Sequence, residues 1–268
     1  MKLSNFTLPG VLALALLAPP AAIAAPELAA RDIMEKNFFA SKLKGLKTDL
    51  SMVLINDKGQ TRERNSYTIQ KLQANGVDSN LLVRFSFPND IKGTGFLQIE
   101  HSDGDDDQWI YLPALKKTRR LVANNKKDSF VGSDFSYGDI SLPKVDLYRH
   151  ALLRSEPLDK HDCYVIESVP ANESVSANSG YSKKKTWVRK DDAIEAKVEY
   201  YDLSGRLLKT QTTADHLLVE PSPQRWFAKQ REMTNHQTGH KTVLKFEKVE
   251  AGVAIGDGQF TPRYLESE

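Results

Sequence analysis

The chain has 268 residues, with 37 Lys and Arg against 35 Asp and Glu, a formal net charge of +2 and one cysteine. A balance this close to neutral excludes the basic footprint by which proteins hold nucleic acid, and a lone cysteine excludes an intrachain disulfide. The length suits one sizeable domain or two small ones. No Pro/Gly/Ser linker or charge block marks a boundary, so one domain is expected.

The N-terminus reads as a secretory leader. Lys2 gives a positive start, residues 8–17 form an apolar run, Pro19 and Pro20 break it, and Ala22-Ile23-Ala24 places small residues at a cleavage site. Cleavage after Ala24 is expected, giving a leader at 1–24 and an exported, soluble domain at 25–268. The rival reading is an uncleaved anchor, but the run is shorter than the ~20 residues a spanning helix needs. No cysteine follows the run, so lipidation by the bacterial lipoprotein route is not expected. Removing Lys2 leaves 37 − 1 = 36 basic residues against 35 acidic.

One helix opens the domain at 26–39, where Leu28, Ile33, Met34 and Phe38 recur at roughly helical spacing. Period-two patterns then dominate. Leu50, Met52 and Leu54 share one strand face, and residues 57–60 turn the chain back into a strand at 66–70. Val83, Phe85 and Phe87 share a face of the next strand, which Pro88 stops. Residues 96–100 form another, the acidic stretch 103–107 turns, and 109–112 and 118–122 follow. In the second half, 158–169 is a strand and 171–180 a small-residue loop. Residues 185–189 pair with 193–202, where Ile194, Ala196, Val198 and Tyr200 lie on one face. Residues 207–213, 225–234 and 241–249 complete a meander.

Many antiparallel strands after one helix predict a mainly β fold with few helices: a large antiparallel sheet that coils into an incomplete barrel. Few helices are available to cover its concave face. That leaves either an apolar cavity suited to an acyl chain or a core filled by bulky side chains. The cavity candidates are Val83, Phe85, Phe87, Trp109 or Ile110, and Val198, because alternation puts each set on one side of its strand.

Residues 128–140, "DSFVGSDFSYGDI", place aromatic side chains in a polar stretch. Gly132 and Gly138 permit turns that a side chain would forbid. Asp134 and Asp139 can accept backbone N–H groups and hold a turn or start a short helix. Phe135 and Tyr137 then fold inward, either as a gate at the cavity mouth that moves with cargo or as a fixed closure of the core.

Candidates for bond chemistry are weak. Asp103, Asp105 and Asp107 alternate as in a calcium loop, but Gln108 stands where Gly belongs and Ala114 where the closing Glu belongs. His236 and His240 are four apart, but in a turn with no third ligand nearby. Cys163 reads as a buried structural thiol. Lys183-Lys184-Lys185 reads as a site for anionic head groups or an acidic partner, or as a solvated strand edge guarded by charge. No nucleophile elbow, phosphate loop or dinucleotide fingerprint occurs. No metal, cofactor or catalytic residue is assigned, and no enzyme is expected.

Four stretches together resemble the outer-membrane lipoprotein-sorting protein family, a branch of the LolA/LolB-like carriers. They are "FPNDIKGTGFL" at 87–97, "WIYLPALKKTRRL" at 109–121, "GSDFSYGDI" at 132–140 and "FTPRYL" at 260–265. The resemblance implies a periplasmic protein with an incomplete antiparallel β-barrel wrapped around helices. It implies a cavity for the acyl chains of a lipoprotein or lipid in transit between the inner and outer membrane. Some members resemble partners of inner-membrane RND/MMPL-type exporters. The lipoprotein carrier's own functional residues do not align onto positions here, so none is carried over. Three readings stay open: a monomeric carrier, an accessory protein that docks an exporter and carries nothing, and a hydrolase with an unrecognised site.

Overall fold

The computed structural model describes residues 25–267, so the leader expected at 1–24 lies outside the described residues. The described residues open with α1 (Ala25–Ala40). A first meander follows: β1 (Gly45–Ile55), β2 (Thr61–Leu72), β3 (Ser79–Phe87), β4 (Gly95–Ile99), β5 (Asp107–Leu112) and β6 (Lys117–Leu121). Residues 122–147 contain the single turn α2 (Tyr137–Ile140). Next come β7 (Tyr148–Leu158), β8 (His161–Pro170), α3 (Glu173–Ser179), β9 (Lys183–Arg189) and β10 (Glu195–Tyr201). The chain closes with β11 (Leu207–Pro221), β12 (Gln224–Asn235), β13 (Lys241–Ala251) and α4 (Pro262–Glu266). No described helix is long and apolar enough to cross a membrane.

All thirteen strands form one antiparallel sheet in the order β6-β5-β4-β3-β2-β1-β13-β12-β11-β10-β9-β8-β7. The two meanders join where β1 pairs β13, with Leu50 opposite Phe246 and Met52 opposite Leu244. The free edges are therefore β6 and β7, and these are consecutive in the chain. Residues 122–147 must carry the chain from one edge of the sheet to the other. A twisted sheet of this width curls, and the crossing segment fills its concave side. The barrel stays open because β6 and β7 do not pair.

Local pattern explains the strands. In β1, Leu46, Thr48, Leu50 and Met52 are buried while Lys47, Asp49 and Ser51 are only partly covered, which is the period of a strand with one face on a core. On α1, Ala30 and Met34 pack against Ile166 and Val188, and Asn37 donates to the Ala193 carbonyl at 2.9 Å.

The opposite face of the first meander carries its own core, where Phe260 and Leu265 cover Ile69, Leu82 and Leu97. Thr261 caps α4 by accepting the Tyr264 N–H at 3.1 Å, and Pro262 occupies its first turn. Arg84 donates to the carbonyls of Tyr264 and Leu265 at 3.0 and 2.8 Å. Gly95 is required by this approach, since a Cβ there would lie 2.5 Å from Leu265 Cδ1.

Three sequence expectations change. Residues 173–179, within the stretch expected as a loop at 171–180, are helical: the Asn172 side chain accepts the Val175 N–H, and Gly180 at φ +77° ends α3. Residues 148–158 form β7, where no strand is expected. The lysine run 183–185 lies in β9, between β8 and β10, and not at an edge.

Candidate functional site

A cavity of about 170 Å³ lies against the concave face. Leu46 and Leu50 of β1, Leu81 and Val83 of β3, and Leu244 and Phe246 of β13 line its wall. Phe130, Ile140 and Leu142 of the crossing segment line its other side, with Trp226 and Phe227 of β12. Charge is confined to its flanks. On the β4 side Lys42, 1% exposed, pairs with Glu100. On the β11–β12 side Glu195, Arg231 and His216 line it.

A larger groove of about 780 Å³ runs between α1, α3, the acidic turn and residues 136–148, with Phe38, Phe39, Leu142, Pro143, Val145 and Val175 among its walls. A pocket of about 50 Å³ lies between them. Ser141 and Leu142 line all three spaces, so one strap partitions a single interior. Ligand sites commonly measure about 300–1,000 Å³. The groove reaches that range, while the inner cavity alone holds only a short alkyl segment.

The strap is tied to strands on both sides. Asp134 donates its N–H to Thr242 Oγ1 at 3.0 Å and accepts the Thr242 hydroxyl at 2.7 Å. Lys209 donates to Asp139 Oδ2 at 2.6 Å and to the Asp134 carbonyl at 3.0 Å. Arg231 donates to the Asp139 carbonyl at 3.0 Å, and Ser141 donates to Gln98 Oε1 at 2.5 Å. Within the strap, Asp139 accepts the Ser136 N–H at 2.8 Å and so caps α2. Tyr181 donates to both Asp139 oxygens at 3.0 Å. Burial works to raise the Asp139 pKa, but Lys209 and Lys184 outweigh it and hold the carboxyl below its ordinary value. Burial dominates instead at Glu100 and Glu195, whose pKa values rise, and it pushes the Tyr181 and Tyr200 phenols well up.

The structure divides the expected cavity residues. Val83 lines the inner cavity and Val198 the small pocket. Phe85 and Ile110 face the same concave core without lining any of the three spaces. Ile110, not Trp109, faces inward; Trp109 packs on the opposite face with Leu82 and Leu97. Phe87 does not face inward and is 49% exposed. A bulge between β2 and β3, where Asn65 meets Phe87 but Ser66 meets Phe85, breaks the alternation just before it.

Phe135 and Tyr137 also differ from a cavity mouth. Phe135 is 0% exposed, both belong to the inner core, and neither lines the three spaces. Phe130 packs beside Tyr137 at 5.5 Å between ring centres, and both rings meet Phe96 of the wall, at 5.4 and 5.5 Å. Of the strap, Phe130, Ile140, Ser141 and Leu142 line the inner cavity, Gly138 and the expected gate residue Asp139 line the small pocket, and Ser136 and Gly138 reach the groove.

Other candidates resolve into structure. Asp107 binds His101 and Arg120, and Asp106 pairs with Lys126 and Lys144. No cluster of metal-ligating groups occurs among the described residues. His236 meets Thr210 at 2.8 Å in the β12–β13 turn. Cys163 is buried, which pushes its thiol pKa up. Lys184 turns inward rather than to solvent. Lys42, Lys184, Lys209 and Arg231 are inward cations that the sequence reading misses. One signal could have found Lys184: it pairs with Tyr200, a residue whose inward face the alternation of β10 already indicates.

A family model described as "Uncharacterized protein" matches residues 77–267. A crystal structure described as an outer membrane lipoprotein-sorting protein domain from Vibrio parahaemolyticus is 32% identical, with TM-score 0.82, over 90% of this chain and 99% of that one. A DUF1329 family protein from Desulfovibrio piger is 28% identical, with TM-score 0.82, over 90% and 100%. A LolA superfamily protein from Nitrosomonas europaea shares the fold at 22% identity and TM-score 0.68, over 88% and 98%. No curated protein matches the chain.

Proposed function

Because this chain belongs to the outer membrane lipoprotein-sorting protein family, with the fold of the LolA superfamily, we propose that it is a periplasmic carrier that shelters the acyl chains of a lipoprotein or lipid on the way between inner and outer membrane. The supporting observation is the strap at Ser141 and Leu142, which separates an apolar-walled inner cavity from a charged pocket and a mixed outer groove. Lifting it merges the inner cavity with the groove. Each methylene buried there contributes about 0.8 kcal/mol, so a few methylenes offset the strap contacts they replace. The role requires binding and release and no bond-breaking step.

Ile140, Ser141 and Leu142 act as the moving part in this reading. Phe135 and Tyr137 hold the strap down. A second reading is an accessory that docks an RND/MMPL-type exporter through exposed apolar side chains such as Leu218 of β11. Native mass spectrometry and lipid extraction of protein purified from the periplasm distinguish the two. A co-purifying acyl lipid is expected. An empty protein that takes up no fluorescent fatty acid yet binds a membrane exporter would replace the carrier by the accessory.

A further inference from the structure

Pairing across β7 to β11 aligns His150, Ser168, Lys184, Tyr200 and Lys209 as direct neighbours. Directly paired residues share a face, so this polar row lies on the concave side. Most of it is satisfied internally. His150 meets Ser168 Oγ at 2.8 Å and the Val145 carbonyl at 3.0 Å. Lys209 is held by Asp139 and the Asp134 carbonyl.

Lys184 is the exception. It is 8% exposed; Asp139 and Glu195 feel its charge across a distance, yet among the described residues no hydrogen bond or close ion pair reaches its Nζ. Three rings surround that atom instead: Tyr148 at 5.0 Å, and Tyr181 and Tyr200 at 5.3 Å. Attraction to ring faces offsets only part of the cost of withdrawing an ammonium from water. The Tyr148 and Tyr200 hydroxyls likewise have no partner among the described residues, whereas the Tyr181 hydroxyl is taken by Asp139. Three donors thus border the 50 Å³ pocket without acceptors. The surrounding charges are four cations, Lys144, Lys184, Lys209 and Arg231, against two acids, Asp139 and Glu195, and Lys144 is itself paired with Asp106.

We propose that this pocket binds the oxyanion of an amphiphile, a carboxylate or a phosphate, through Lys184 with the Tyr148 and Tyr200 hydroxyls. The volume is several times the roughly 10–15 Å³ that one water needs by the same measure, so a small oxyanion fits. Lys184 and Tyr148 line the large groove as well as the pocket. An anion seated there lies at the inner end of the groove, and an attached chain runs out past Leu142, Pro143 and Val145. The chain's placement rests on the carrier reading; the anion site stands on the unmatched donors alone.

Titration calorimetry on the delipidated protein tests this with four probes: hexadecanoate, hexadecyl phosphate, methyl hexadecanoate and inorganic phosphate. The anionic amphiphiles should bind about tenfold or more tighter than the uncharged ester, the range for a hydrogen bond to a charged group. Lys184→Met should abolish that preference, bringing the affinities for acid and ester together. The double variant Tyr148→Phe, Tyr200→Phe keeps the ammonium and should lower the preference several-fold, which covers the case of a Lys184 variant that fails to fold. Equal affinity for acid and ester, a preference that survives in Lys184→Met, or one left undiminished in the double tyrosine variant, would overturn the proposal. Binding of inorganic phosphate alone, lost in Lys184→Met, would keep the anion site with a free anion as its source while the carrier reading fails. Failure to bind any of the four would overturn both.

Discussion

Asp139 Oδ2 lies 2.6 Å from Lys209 Nζ, with both side chains almost wholly withdrawn from solvent. The carboxylate comes from the crossing strap and the ammonium from β11, so this pair joins the strap to the wall of the sheet. A buried pair gains little over an apolar substitute, but removing one partner strands the other. Lys209→Met should therefore destabilise the protein by about 3–5 kcal/mol. The double variant Lys209→Met, Asp139→Asn should recover part of that loss. Urea denaturation midpoints read both, and a Lys209→Met protein as stable as wild type would show that the pair does not hold the strap.

A contrast within β3 tests the facing of the concave core. Phe85 is buried, 6.1 Å from the Phe130 ring, whereas Phe87 is exposed beyond the bulge. Phe85→Asp places an unpaired charge against apolar surface and should cost more than about 4 kcal/mol. Phe87→Asp should stay within about 0.5 kcal/mol of wild type. Thermal unfolding of the two variants gives the comparison, and similar losses in both would place the core wrongly.

Gly132 sits at φ +72°, a left-handed conformation that costs a residue with a side chain roughly 1–2 kcal/mol. The Ser133 N–H reaches back to the Phe130 carbonyl at 3.0 Å across this turn, which sets Phe130 into the core. Gly132→Ala should lower stability by about that amount and raise hydrogen exchange across residues 128–140. A neutral result would mean that the turn relaxes without moving Phe130.

His216 gives a pH signature. Burial, with Arg189 and His161 nearby, pushes its pKa down to about 4, below the ordinary value of about 6.5. Between these values the unfolded chain binds more protons than the folded one, so stability rises with pH across the window. The His216 contribution is present above about pH 6.5 and is lost as pH falls toward 4. His216→Gln should flatten the loss of stability between pH 6.5 and 4. Parallel unfolding series for wild type and variant measure it, and identical slopes would refute the burial of the ring.

The fold was largely legible because its strands alternate cleanly, as in β1. Its turns are short and marked, as at residues 57–60. What was not legible follows from distance. Nothing local says that Leu50 opposes Phe246, and that pairing alone makes β6 and β7 the two free edges and sends residues 122–147 across the interior. The family stretches report on this framework more than on cargo: Gly95 and Leu97 of one meet Phe260 and Leu265 of another on the face away from the cavity. Helix α3 hid because its residues are small and polar, although Asn172 and Gly180 bracket it as caps. The inward cations hid because lysine is ordinarily solvated, so Lys184 is visible only once its cross-strand partner Tyr200 is known.

The central claim is that an acyl chain occupies the space walled by β1, β3 and β13. A photoreactive amino acid in place of Leu244, which lines the inner cavity, tests it most directly in cells. Irradiation should give an adduct carrying the mass of a lipid or lipoprotein acyl group, and the same group at exposed Phe87 should give none. No adduct at 244, or equal adducts at 244 and 87, would contradict the carrier account.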